Sequence, residues 1–78
     1  MEIKVLGTGC AKCNMLEQVT KDAVARLGLD VEVQHVTDMA EIMRYGVMST
    51  PALVVDDQVR LAGRVPKVDD VVALLQRS

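Results

Sequence analysis

The chain has 78 residues, a formal charge of −2 and a hydrophobic share of 50 %. Such a length is expected to make one domain, 1–78, with a small core, and the hydrophobic share argues against disorder. The sequence offers no basic face for nucleic acid, no block of like charge and no apolar run long enough to span a membrane.

Phe and Trp are absent and Tyr occurs once, so the core must be built from Val, Leu, Ile, Met and Ala. Ile3-Lys4-Val5-Leu6 reads as a short, largely buried strand. Gly7 and Gly9 then let the backbone turn sharply. Over 11–27 the apolar residues Leu16, Val19, Ala23 and Leu27 fall at helical spacing. Glu17 and Lys21 form an i,i+4 pair on the wet face of that helix. Gly28 suits its C-terminal cap. Residues 31–36 alternate and read as a second strand. Asp38, with Glu41 three residues on, resembles a capping box for a short helix over 39–45. Gly46 ends that helix.

Ala52-Leu53-Val54-Val55 is an apolar strand. Asp56-Asp57 reads as a two-residue hairpin turn, although the usual Gly is missing. Gln58 to Ala62 alternates and returns. Pro66 precedes a last helix over 68–76, with Asp69 and Asp70 in its first turn. The order is β-α-β-α-β-β-α. It implies an α/β fold in which a mixed four-stranded sheet is flanked by helices: a parallel pair joined by a helix, plus an antiparallel hairpin.

The two cysteines of the chain stand as Cys10-Ala11-Lys12-Cys13, where the first strand gives way to the first helix. Residues i and i+3 are neighbours on a helix, within reach of a disulfide. The first helical turn has free N–H groups and a partial positive charge, which favour a thiolate. Lys12 adds a cation beside it. Cys10 is expected to be the more exposed and more acidic thiol, hence the nucleophile, with Cys13 resolving. Two cysteines can also be inert small hydrophobes. Their place after a Gly-flanked strand end favours chemistry.

This order, the Cys-x-x-Cys motif after the first strand and the Pro opening the third together resemble the thioredoxin fold in its minimal, glutaredoxin-sized form. Lys4-Val5-Leu6-Gly7-Thr8-Gly9-Cys10, Tyr45 through Val54 and Ala62-Gly63-Arg64-Val65-Pro66 are similar to small archaeal and bacterial redox-active disulfide proteins of that fold. The resemblance implies a cis Thr50–Pro51 bond lying against the disulfide, with Thr50, Pro51, Gly9 and Lys12 supporting the site. It implies a thiol–disulfide oxidoreductase that needs no cofactor beyond a Cys10–Cys13 disulfide. Its partners would be protein or small-molecule disulfides, with a reductase or thiol pool as electron donor. Neither nucleic acid nor membrane is expected as a partner, and the chain is expected to be a monomer.

Two departures stand out. Thioredoxin has Trp before the first Cys and Gly-Pro between the pair; here Gly9 precedes and Ala11-Lys12 intervene. The strand 3–6 also offers no acid to take a proton from Cys13, only Lys4. The start of the chain lacks the pattern of a signal peptide, so a cytoplasmic location is the expectation. In a reducing cytosol a cysteine pair is catalytic or metal-binding rather than a staple.

The rival function is a soft-metal carrier holding Cu(I) or Zn through the same two cysteines. Such domains run β-α-β-β-α-β and usually carry Met where Thr8 stands, and Thr50-Pro51 has no counterpart in them. A non-catalytic adaptor on the same fold is the third reading. His35, the single histidine, reads as a structural or surface residue. Tyr45 reads as a half-buried packing residue. Met15, Met39, Met43 and Met48 read as gap fillers in a core without Phe.

Overall fold

The computed structural model describes residues 1–9 and 11–77. Its elements are β1 (Ile3–Leu6), α1 (Ala11–Leu27), β2 (Val33–Val36), α2 (Met39–Arg44), β3 (Ala52–Val55), β4 (Gln58–Ala62) and α3 (Val68–Gln76). The strands form one sheet in the order β2-β1-β3-β4. β1 runs parallel to β2 and antiparallel to β3, which pairs antiparallel with β4. The sheet is therefore mixed, as the element order implies.

Alternation decides what each face of the sheet holds. Ile3 and Val5 of β1 join Leu53 and Val55 of β3, Leu16 of α1, and Val71 and Leu75 of α3 in one buried cluster. Leu6, Ala52 and Val54 face the other way and pack with Ile42 of α2. Two helices thus cover one face and a single short helix covers the other. All four residues of β3 are buried, because it lies inside the sheet with a helix layer on each side.

The helix ends follow local rules. At the end of α1, Leu29 N–H donates to Val24 O and Gly28 N–H to Ala25 O, both at 3.1 Å. This is the Schellman arrangement, and Gly28 takes the positive φ (+66°) that it demands. At the start of α2, Asp38 accepts from Ala40 N–H at 2.9 Å, so the Asp38 cap is real. At α3, the Asp70 carboxylate accepts from Lys67 N–H at 3.4 Å. The ammonium of Lys67 cannot accept in return, so the box is only half formed. Arg26 in the last turn of α1 pairs with Asp69 of α3 and ties the two helices together.

Three expectations change. The second strand begins at Val33 rather than at residue 31, because β1 has no residue before Ile3 in the ladder for an earlier start to pair with. α2 ends at Arg44, with Tyr45 as its C-cap. The methionines do not fill the core. Met15, Met39, Met43 and Met48 are all exposed, Met48 almost fully at 97 %. Val, Leu, Ile and Ala make up both buried clusters, and Ile42 is the buried residue of α2. Met39 and Met43 lie on either side of it in sequence and face out.

The turn between β3 and β4 is built from Asp56 (φ 50°) and Asp57 (φ 65°). Positive φ at both central positions is the type I′ requirement, and its twist suits a hairpin. Asp56 recovers some of the cost: its carboxylate accepts from Glu2 N–H, and its own N–H donates to Glu2 O, both at 2.8 Å. Asp57 has no comparable backbone bond among the described residues. Asp57→Gly is expected to raise stability by about 0.5–1 kcal/mol, since glycine meets this φ without a Cβ penalty but loses more chain entropy on folding. Thermal unfolding followed by circular dichroism should show Tm rising by about 2–8 °C.

Candidate active site

β1 leads directly into the cysteine motif. Leu6 pairs with Ala52, so Gly7 and Pro51 leave the sheet side by side at one end. Ala52 pairs with Ala62, and Gly63 N–H donates to Pro51 O at 2.8 Å. The chain segments around Gly7, Pro51 and Gly63 therefore share one rim of the sheet. The first turn of α1 rises from the same end.

Cys13 lies in that first turn, is fully buried and is disulfide-bonded. Cys10, the expected nucleophile, lies outside the described residues. Lys12 and Gly9 are exposed, Gly9 with φ +87°. The Thr50–Pro51 bond is cis, with Thr50 exposed and Pro51 buried. Register and burial thus bring Cys13, Gly9, Lys12, Thr50 and Pro51 to one end of the fold.

Gly7 belongs to this site for a reason its sequence position conceals. Its φ is not positive, so it is not there for the turn. A Cβ at Gly7 would instead overlap Cys13 Sγ and would meet Cys13 Cβ at 3.0 Å. Strand alternation held the signal: Ile3, Val5 and residue 7 share the face under α1, and a glycine in that row means that something stands close. Gly7 N–H also donates to Val36 O at 3.0 Å, which extends the β1–β2 ladder past Leu6.

One turn along α1 from Cys13, Glu17 makes two contacts. Oε1 accepts from Lys21 Nζ at 3.1 Å, and Oε2 lies 2.9 Å from His35 Nδ1. Lys21, more than His35, holds the Glu17 carboxyl below the usual glutamate range, against a smaller opposing effect of burial. His35 Nε2 is buried with no hydrogen-bond partner among the described residues. His35 therefore ties β2 to α1, in keeping with a structural reading. Sequence periodicity placed Glu17 on the wet face but gave no hint of this cross-element contact.

On the opposite face, Lys4 does not simply point to solvent. Its Nζ donates to Tyr45 OH at 3.0 Å and pairs with Glu2 at 3.3 Å. These contacts, the Tyr45 bond first, raise its pKa to about 12. Tyr45 packs against the small cluster under α2.

With this geometry, the whole-chain comparison is decisive: the family model described as the thioredoxin domain matches residues 1–76. The chain belongs to the thioredoxin-domain family. A thioredoxin of Methanothermobacter thermautotrophicus is 37 % identical over 75 residues, covering 96 % of this chain and 97 % of that protein. A thioredoxin of Methanocaldococcus jannaschii is 41 % identical over 69 residues, covering 88 % and 79 %. In structure, thioredoxin-2 of the malaria parasite, described as a component of its protein secretion machinery, aligns with a TM-score of 0.69 at 17 % identity. That alignment covers 99 % of this chain and 84 % of that one. The last likeness shows the thioredoxin fold. The thioredoxin relatives support thiol–disulfide oxidoreduction as the general chemistry. Among the described residues, no helix is long and apolar enough to cross a membrane.

Two outcomes test this description. Gly7→Ala should cost about 1–3 kcal/mol through overpacking against Cys13, read as a fall in Tm. Glu17 has a depressed folded pKa, so its contribution is present above the ordinary glutamate range and is lost as pH falls through the lower folded value. Glu17→Gln should therefore lower the neutral region of a urea-midpoint-against-pH curve, and its difference from the parent should close as the pH falls through the acid limb.

Proposed function

We propose that this thioredoxin-family chain is a protein-disulfide reductase-like thiol–disulfide oxidoreductase of the cytoplasm, with Cys10 as nucleophile and Cys13 as resolving thiol. The observation that carries the proposal is the state of Cys13: buried, disulfide-bonded, and set in the first turn of α1 beside the strand end that meets Pro51. A buried sulfur is protected from outside partners, as a resolving thiol needs. The helix start stabilises a thiolate nearby.

In the reductive direction, the Cys10 thiolate attacks one sulfur of a target disulfide. The target S–S bond breaks, a mixed disulfide forms, and the departing target thiolate takes up a proton. Cys13 then loses its proton and attacks Cys10, which releases the second target thiol and leaves Cys10–Cys13 oxidised. Two electrons pass from the protein dithiol to the target. A reductase or a thiol pool returns them. The exposed backbone of Thr50 offers an edge along which an extended target segment pairs. No cofactor enters this scheme. The observed element order gives no support to the soft-metal carrier, whose domains run β-α-β-β-α-β.

Reduction of insulin disulfides by dithiothreitol is the direct assay, and catalysis should disappear in Cys10→Ser. Iodoacetamide, applied to the reduced protein near neutral pH, should alkylate Cys10 well before Cys13. Cys13→Ser should accumulate a mixed disulfide through Cys10, while Cys10→Ser accumulates none. Preferential alkylation of Cys13, or equal trapping by both variants, would reverse the roles.

A further inference from the structure

The edge of the sheet beyond β4 carries an arginine-lined cleft that the chemistry above does not use. Its volume is about 270 Å³, and Arg60, Arg64 and Arg77 contribute to its walls, with Ala73 and Leu74 of α3 among its apolar lining. These are three of the nine Lys and Arg residues in a chain whose net charge is −2. The concentration is therefore local and runs against the overall balance.

The three guanidinium groups come from different elements. Arg60 gets there through a bulge. Leu53 faces Leu61 and Val54 faces Val59, so Arg60 is an extra residue with no partner across the ladder. Bulges re-aim side chains. Strict alternation would set Arg60 on the face opposite Leu61, yet it lines a cleft with α3, the side on which Leu61 is buried. Arg64 follows Gly63, and Arg77 is the C-cap of α3. Among the described residues, no carboxylate pairs with any of the three. The one acid in the lining, Asp70, already accepts from Lys67 N–H. The cleft is left with a cationic excess and planar donors suited to carboxylates.

Its place on the fold indicates the occupant. Gly63 is bonded to Pro51 O, and a side chain at Gly63 would meet Ser49 Cβ at 3.1 Å. Arg64 therefore continues the rim formed by the Thr50–Pro51 loop. β4 is a terminal strand, so its outer edge is open to an extended segment. A segment that crosses the rim at Thr50 runs on towards Arg64 and then Arg60. We infer that this cleft docks an acidic segment of the protein partner whose disulfide is exchanged, so that carboxylates near the target cysteine select the substrate. This rests on the oxidoreductase reading and adds a substrate class to it. An edge arginine also discourages strand-to-strand aggregation, but that role would not require Arg64 and Arg77 at the same place.

Two measurements separate this inference from the reading beneath it. The first is fluorescence anisotropy of a labelled, cysteine-free, Glu-rich peptide against its Lys-rich counterpart, with the full chain in its oxidised form. The Glu-rich peptide should bind roughly tenfold or more tightly than the Lys-rich one, weaken with added salt, and lose roughly tenfold in R60Q/R64Q/R77Q. The charge-preserving R60K/R64K/R77K should recover part of the loss. The second is exchange with disulfide peptides carrying Glu, Gln or Lys around the cystine. The Glu preference should appear in KM and vanish in the glutamine variant, with kcat on the Gln peptide unchanged. Equal binding of the two peptides, or no loss in the glutamine variant, would overturn the cleft as a docking site. Competition by inorganic phosphate at concentrations comparable to the peptide would also overturn it, in favour of a small-anion site. Peptide binding without exchange on any disulfide would overturn the oxidoreductase reading and leave the docking site standing.

Discussion

Cys13 Sγ occupies the space that a side chain at position 7 would need. That clearance lets β1 and the first turn of α1 lie close together, and the other features of the site depend on the closeness. β1 is flanked by β2 and β3, so Gly7 leaves the sheet between two neighbours. On one side its N–H bonds to Val36 O. On the other side stands Pro51, set by the Leu6–Ala52 register. A buried sulfur, a proline and a glycine thus meet without any long side chain to bring them together. The backbone does the positioning, and backbone is stiffer than a rotamer-rich side chain.

Most of the fold was legible in the sequence because periodicity and punctuation agreed. Ala11 to Leu27 repeats at helical spacing and stops at a Gly that the Schellman turn requires. Ala52 to Val55 is uniformly apolar because both its faces are buried. The failures have physical causes. Val31 alternates properly, but a strand exists only where it has a partner, and β1 is too short to provide one. The methionines matched the core in chemistry, yet volume was already supplied by Leu, Ile and Val. Gly7 carried a signal in the alternation of its row, but what it makes room for, Cys13 Sγ, appears only once the helix is laid on the strand. The arginine cleft was invisible because a one-residue bulge resets the alternation on which any facing argument relies.

Charge is distributed with a similar economy. The polar contacts of Lys4 and Glu17 each bind a strand to another element: Lys4 donates to Tyr45, the C-cap of α2, and Glu17 of α1 reaches β2 through His35. Arg26 and Asp69 do the same between α1 and α3. The Arg26–Asp69 pair is exposed, and such surface pairs contribute little each. Their effect is on orientation, in a small core with few large side chains to define angles between helices and sheet.

The two faces of the sheet are not equally anchored. Under α1 and α3 lies the larger cluster, which takes in Leu16, Leu53, Val71 and Leu75. Under α2 only Leu6, Ile42, Ala52 and Val54 are buried among the described residues. Local opening costs least where least apolar surface is buried, so α2 is the part of the fold that detaches first. The chain runs from α2 through Gly46 and the exposed Met48 straight into Thr50–Pro51. The Thr50–Pro51 loop is thus tethered on one side to the buried central strands and on the other to the helix that buries least apolar surface, and its freedom to adjust comes from that helix.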